Sequence, residues 1–214
     1  MKILIDIGHP AHVHYCKYLI GILKEEENDV IITARDKEMT HYLLETYGLA
    51  YINRGKGRNS KLGKMIYLLK TNFKLLLISL RKMPDIFIGF GSPYAAQVAF
   101  LLRKPVIILD DTDNARFGHL FYKKFASVIL SPTTFSPDFG TKHIKFPSYM
   151  ELCYLHPSIF KQEMNYKEKL DLDKESKYNV IRFVAWNANH DYAHNGLSEE
   201  NKVKAVKQFL KYGH

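Results

Sequence analysis

The chain has 214 residues, 46% of them hydrophobic, and an excess of Lys and Arg over Asp and Glu that gives a net charge of +9. That length and apolar content exclude a disordered chain and fit one ordinary domain plus something smaller. Two cysteines, Cys16 and Cys153, exclude a disulfide framework or a paired-cysteine zinc site.

The charge asks for an anionic partner such as nucleotide phosphate or lipid headgroup, and no nucleic-acid-binding signature accompanies it. The N-terminus opens directly on a strand pattern, so no signal peptide is expected. Short β-branched runs then alternate with helical periods, the pattern of βαβ units around a parallel sheet. The first strand, near 2–7, runs into Gly8-His9-Pro10-Ala11-His12-Val13-His14 and a helix near 12–25. A strand near 29–33 and a helix near 37–47 follow, with Asp36 as N-cap and Gly48 just past the C-terminus. A strand near 49–53 leads through the basic loop Arg54-Gly55-Lys56-Gly57-Arg58-Asn59-Ser60-Lys61 to a long helix near 61–82. The next strand, near 85–89, runs into Gly89-Phe90-Gly91-Ser92-Pro93-Tyr94 and a helix near 93–103. A strand near 105–110 ends in Asp110-Asp111-Thr112-Asp113, a helix spans about 114–125, and a strand near 127–131 closes the series. Right-handed crossovers place every strand's carboxyl end on one rim, where ligands of open α/β sheets collect.

From about Pro147 the pattern loosens. We expect a first domain over 1–155, a Lys- and Glu-rich linker over 156–178, and a single βα unit over 179–214. That last unit comprises a strand Val180 to Ala185, a polar turn Trp186 to Asp191, and a helix from Ser198 to Tyr212. One βα unit cannot bury both faces of its strand, so it must pack on the first domain, recruit a partner or open a missing second domain.

His9, His12 and His14 have the residue type for proton transfer near neutral pH. The plain alternative is that they cap or pack the helix start, which is how His14 is read. No carboxylate or cysteine shares their loop at a ligand spacing, so no metal site is read. The turn Gly89 to Pro93 opens a helix on proline and leaves N–H donors at Gly91 and Ser92 for an anion or a sugar hydroxyl. The alternative there is a tight turn that needs glycine. Asp110 is the carboxylate read as holding a hydroxyl or orienting a histidine, and Asp113 as the N-cap of the helix after it. The long helix carries Leu62, Met65, Ile66, Leu69, Phe73, Leu76, Leu77 and Leu80, apolar on one side with flanking cations, which fits a lipid surface. More often such a helix is a crossover buried on the sheet with solvated lysines. Lys70, Asn72 and Lys74 interrupt it too often for a membrane span.

Three stretches carry a family resemblance. Ala11-His12-Val13, Gly89-Phe90-Gly91-Ser92-Pro93-Tyr94-Ala95-Ala96 and Pro105 to Asp110 are similar to segments in the N-terminal domain of GT-B-type glycosyltransferases. That class contains the lipid-linked N-acetylglucosaminyltransferase of peptidoglycan synthesis. His9 to His14, Gly91 to Ala96 and Trp186-Asn187-Ala188 resemble still more closely an uncharacterised bacterial and archaeal family of predicted glycosyltransferases, domain of unknown function 354.

The resemblance implies an α/β, Rossmann-like parallel sheet with helices on both faces. It implies transfer of a sugar from a nucleotide-sugar to an acceptor, lipid-linked acceptors included, with no cofactor beyond that donor and no metal. His12 or His9 would be the base and Asp110 its orienting group. Gly8, Gly89, Gly91, Ser92, Pro93, Tyr94, Asp111, Thr112, Asn187 and His190 would bind substrate. The expected setting is cytoplasmic, with peripheral contact at the inner membrane face. GT-B enzymes hold most of the donor in a C-terminal half, so the resemblance implies either a truncated chain, inactive without that half, or a second polypeptide that supplies it. A non-hydrolysing sugar-nucleotide 2-epimerase and a non-catalytic binding subunit or remnant are the alternatives.

Overall fold

A computed structural model describes residues 1–57, 60–161, 166–183 and 196–214, the main chain alone at residue 61. It divides into two compact units, Met1–Phe160 and Lys161–His214. Asn187, His190, the Trp186 to Asp191 turn, and Arg58 and Asn59 of the basic loop lie outside the described residues.

The first unit is built on seven parallel strands: β1 (Lys2–Ile7), β2 (Asp29–Asp36), β3 (Ile52–Lys56), β4 (Ile86–Phe90), β5 (Val106–Leu109), β6 (Val128–Pro132) and β7 (His143–Phe146). Their order across the sheet is β3-β2-β1-β4-β5-β6-β7. The order reverses between β1 and β4, and a crevice opens beyond their carboxyl ends. Successive side chains point to opposite faces. Ile3, Ile5 and Ile7 therefore join α1 (Pro10–Glu25) and α2 (Thr40–Thr46) in one core, through Val13, Cys16, Ile20 and Leu44. Leu4, Phe87, Ile108 and Ile129 face α3 (Lys61–Lys82), α4 (Pro93–Leu101) and α5 (Arg116–Tyr122), and pack on Leu75, Ala95, Ala99 and Tyr122. The expected Rossmann-like sheet with helices on both faces is what the chain forms.

Local chemistry fixes most boundaries. His9 caps α1, its Nδ1 accepting from Ala11 N–H at 3.2 Å, and Pro10 stands at the first helical position, so this helix starts two residues earlier than periodicity suggests. Ser60 and Ser92 cap α3 and α4 through their hydroxyls. Gly48 takes φ +64° past the end of α2, as expected.

Other expectations fail. Asp36 is no cap: it pairs with Lys56 as the last residue of β2, and the left-handed turn at Glu38 delays α2 to Thr40. The third strand lies three residues later than expected and absorbs Arg54, Gly55 and Lys56 from the supposed loop. Asp113 does not cap α5. That helix starts at Arg116, and the Asp113 carboxylate instead accepts from Ser136 N–H and Oγ, at 3.0 and 3.2 Å. β7 was not foreseen.

Beyond β7 the chain forms α6 (Leu152–Leu155) in the first unit, then α7 (Tyr166–Lys169) and α8 (Glu199–Phe209) in the second. Val180 to Phe183, the described part of the expected final strand, are not a strand. A strand needs a ladder partner. Here main-chain bonds join Asn179 to His214 and His214 to Lys177, and Val180 stays exposed. Among the described residues no helix is long and apolar enough to cross a membrane.

Candidate functional site

The loops after β1, β4 and β5 meet at a cleft of about 170 Å³. His12, Gly91, Asp110, Asp111 and Thr112 all line it, so the first, fourth and fifth strands deliver residues to one mouth. Tyr15 and Phe90 form an aromatic side, with the His12 and Phe90 rings stacked at 4.7 Å. His119 and Tyr122 of α5, with Met150, form the opposite side.

His12 is held in one role. Its Nδ1 accepts from Gly8 N–H at 3.2 Å, which puts the proton of the neutral ring on Nε2. Enclosure lowers its pKa to about 3, helped by the like charges of His9, Arg54 and Lys37, so the ring is neutral at any physiological pH. A neutral imidazole with Nδ1 occupied meets the cleft as a donor, not as a base. His9 has a lowered pKa too, from burial and Lys37, and spends Nδ1 on its capping bond. His14 bonds Tyr47 Oη at 3.2 Å and stacks against Tyr154, away from the cleft lining.

Both oxygens of Asp110 already accept a hydrogen bond. Oδ1 accepts from Thr112 N–H at 2.9 Å, Oδ2 accepts from Tyr122 Oη at 2.5 Å, and His119 Nε2 lies 3.5 Å from Oδ2. Burial and the neighbouring carboxylate raise the Tyr122 pKa, which keeps this donor protonated. Asp111 is the freer carboxylate. Its contacts with Tyr15 Oη and Thr112 Oγ1 are long, 3.4 Å each, and burial with Asp110 and Glu151 nearby raises its pKa.

Gly91 does not offer the free donor expected of it, because its N–H bonds Leu109 O at 2.8 Å. Its φ is +52°, and a Cβ there would come within 3.4 Å of Asp110 Oδ2. Gly8, Gly89, Ser92, Pro93 and Tyr94 do not line the cleft. They build the layer beside it. A Cβ on Gly89 would collide with Ser92 Cβ at 2.8 Å, so glycine permits the close seating of α4. Ser92 Oγ donates to Asp6 Oδ2 at 2.6 Å, while Asp6 Oδ1 accepts from Thr33 Oγ1 at 2.9 Å and lies 2.8 Å from Arg54 Nε as an ion pair. Arg54 donates to Tyr67 Oη at 2.9 Å and lies over the Tyr94 ring at 4.6 Å. Burial alone would lower the Arg54 pKa, but Asp6 holds it above the ordinary value. This buried ion pair ties four strand ends together.

Sequence reasoning missed Tyr15, Phe90, His119, Tyr122 and Met150. The signal for three of them was helical spacing: Tyr15 stands three positions after His12, and His119 and Tyr122 stand three apart on α5. A second polar group superficially resembles a hydrolytic triad: Ser131 Oγ lies 2.7 Å from His143 Nε2, and Asp138 Oδ1 is 3.5 Å from Nδ1. That Nδ1 accepts from Phe139 N–H, so Nε2 carries the proton, and Ser131 is fully buried. The group joins β6 to β7 and has no nucleophile to offer. Among the described residues no three His, Cys, Asp or Glu side chains converge as metal ligands.

Residues 1–137 match the profile of a family described as a protein of unknown function, DUF354. An uncharacterised protein of Methanocaldococcus jannaschii, MJ0665, is 27% identical over 132 residues, 62% of this chain and 39% of its own. Among solved structures, Acinetobacter baumannii MurG is similar with a TM-score of 0.57 at 18% identity, over 67% of this chain and 45% of that one. Neisseria meningitidis UDP-GlcNAc 2-epimerase bound to UDP-GlcNAc gives 0.53 at 18%, over 68% and 45%. The Streptomyces sp. SF2575 glycosyltransferase SsfS6 gives 0.52 at 15%, over 70% and 55%. At these identities the likeness is one of fold, that of the N-terminal domain of GT-B proteins. The chain spans about half or less of the length of the proteins it matches.

Proposed function

The chain belongs to the DUF354 family, and from that premise we propose that its cleft binds the sugar or acceptor side of a sugar-nucleotide reaction, with glycosyl transfer as the leading activity. One observation carries the reading: His12, Asp110 and Asp111 converge on a single aromatic-sided cleft at the carboxyl edge of a parallel sheet. Fold likeness to a glycosyltransferase and to a UDP-GlcNAc-bound epimerase supports the substrate class.

In this reading the acceptor oxygen attacks the anomeric carbon, the bond from that carbon to the nucleotide diphosphate breaks, and the diphosphate leaves with the electron pair. Asp111 takes the acceptor proton. His12 Nε2–H donates to a substrate oxygen, and Asp110 fixes Tyr122 and Thr112 around it. Most of the donor site would lie on a C-terminal half completed by further sequence or by a second polypeptide, in a cytoplasmic setting with the protein peripheral to the membrane. Asn187 and His190 are proposed as the start of that half.

The test is binding of UDP-N-acetylglucosamine and N-acetylglucosamine, followed by protein NMR shifts, then product analysis with and without an acceptor. Shifts at the cleft that disappear in His12→Ala and Asp111→Asn are expected. Binding that survives both substitutions overturns the site. The two adjacent carboxylates also suit proton removal from a sugar carbon, the step an epimerase needs, and conversion without any acceptor would select that reading.

A further inference from the structure

We propose that the α3–α4–α5 side of the first unit is a landing surface for an anionic lipid bilayer. The proposal stands apart from the cleft chemistry and does not depend on it.

Residues 61–82, 93–104 and 114–126, which comprise these three helices and their ends, hold eleven Lys and Arg and no Asp or Glu. The helices on the other side of the sheet differ: residues 10–28 and 37–49 hold three Lys and five Glu. The net charge of the chain is therefore concentrated on one side.

That same side is apolar where water should meet it. α3 turns Tyr67, Thr71, Leu75 and Ser79 toward the sheet, all buried. Leu62, Met65, Leu69, Phe73, Leu77 and Leu80 recur every three to four residues and are exposed, Phe73 by 63% and Leu69 by 64%. They form an outward stripe about 27 Å long on a 22-residue helix. Phe100 and Leu101 at the end of α4 and Phe117 and Leu120 on α5 are exposed as well. A solvated crossover helix carries its apolar residues inward, so this stripe has the opposite orientation to that expectation.

Charge decides the occupant. Lys104 is paired with Asp85, but the three helical segments themselves hold no carboxylate. A neutral partner helix would be satisfied by the stripe alone, whereas cations flanking an apolar ridge match a surface of lipid phosphates over hydrocarbon. Lys70 and Arg81 lie on one flank of the stripe and have no carboxylate partner there.

Cosedimentation of the full chain with vesicles tests the proposal, comparing phosphatidylcholine alone with phosphatidylcholine containing about 30% phosphatidylglycerol. Binding to the anionic vesicles is expected to be at least about tenfold stronger and to weaken with salt. Phe73→Glu with Leu77→Glu, and separately Lys70→Glu with Arg81→Glu, should each reduce it about tenfold, circular dichroism confirming that both variants fold. Equal binding to both vesicle types, no binding, or variants that bind like the parent would overturn the proposal. So would a stripe variant that turns an oligomer into a monomer while vesicle binding stays unchanged, because a second copy would then be the occupant.

Discussion

Below about pH 6.5 the unfolded chain takes up a proton at His12 that the folded chain refuses until about pH 3. Stability from this group is complete above the unfolded value and is lost as pH falls through that window, because the unfolded state binds more protons there. His9, whose pKa is also lowered, adds in the same direction. Urea unfolding across the window should show stability falling by a few kcal/mol, with a shallower fall in His12→Gln. At the same scale, Arg54→Ala strands the Asp6 carboxylate, which is wholly buried. A loss of about 3–5 kcal/mol is expected, measured as a shift in the urea midpoint. Neither group was legible as such. Asp6 read as part of an apolar strand, and Arg54 read as loop because β3 has few β-branched residues to announce it; only the fold places the two 2.8 Å apart.

Elements fail or hold by what terminates them. Gly91 turns the chain from β4 into α4 with positive φ, and Gly91→Ala should cost about 1–2 kcal/mol in the same assay. Tyr122→Phe removes the 2.5 Å donor from Asp110 and should cost about 1–3 kcal/mol, with melting temperature as the readout. Most of the alternation of strands and helices up to residue 132 was readable because β1, β4, β5 and β6 are apolar runs and α1, α3 and α4 start at their own capping side chains. β7 was not, since His143, Ile144, Lys145 and Phe146 form a short edge strand that owes its place to Ser131 and β6 rather than to its own pattern. The orientation of α3 was equally hidden. Its buried face includes Thr71 and Ser79, so hydrophobicity alone points to the wrong side of the helix.

For the whole molecule, Met1–Phe160 contains the complete sheet and both cores. That segment, expressed alone, should unfold in one cooperative urea transition, with circular dichroism and fluorescence midpoints coinciding; separate midpoints would show that it does not fold as one unit. The cleft mouth was anticipated because strand ends in a parallel sheet share a rim, while its far wall depends on how α5 packs, which no local pattern announces. That wall belongs to α5, a helix of only seven residues. Gly118, His119 and Tyr122 face inward, and Phe117 and Leu120 project outward from the same two turns. With only two turns to share, one short helix supplies both the phenol that clasps Asp110 and the apolar side chains Phe117 and Leu120 that meet solvent, so a thin partition is all that separates the chamber from the outer surface.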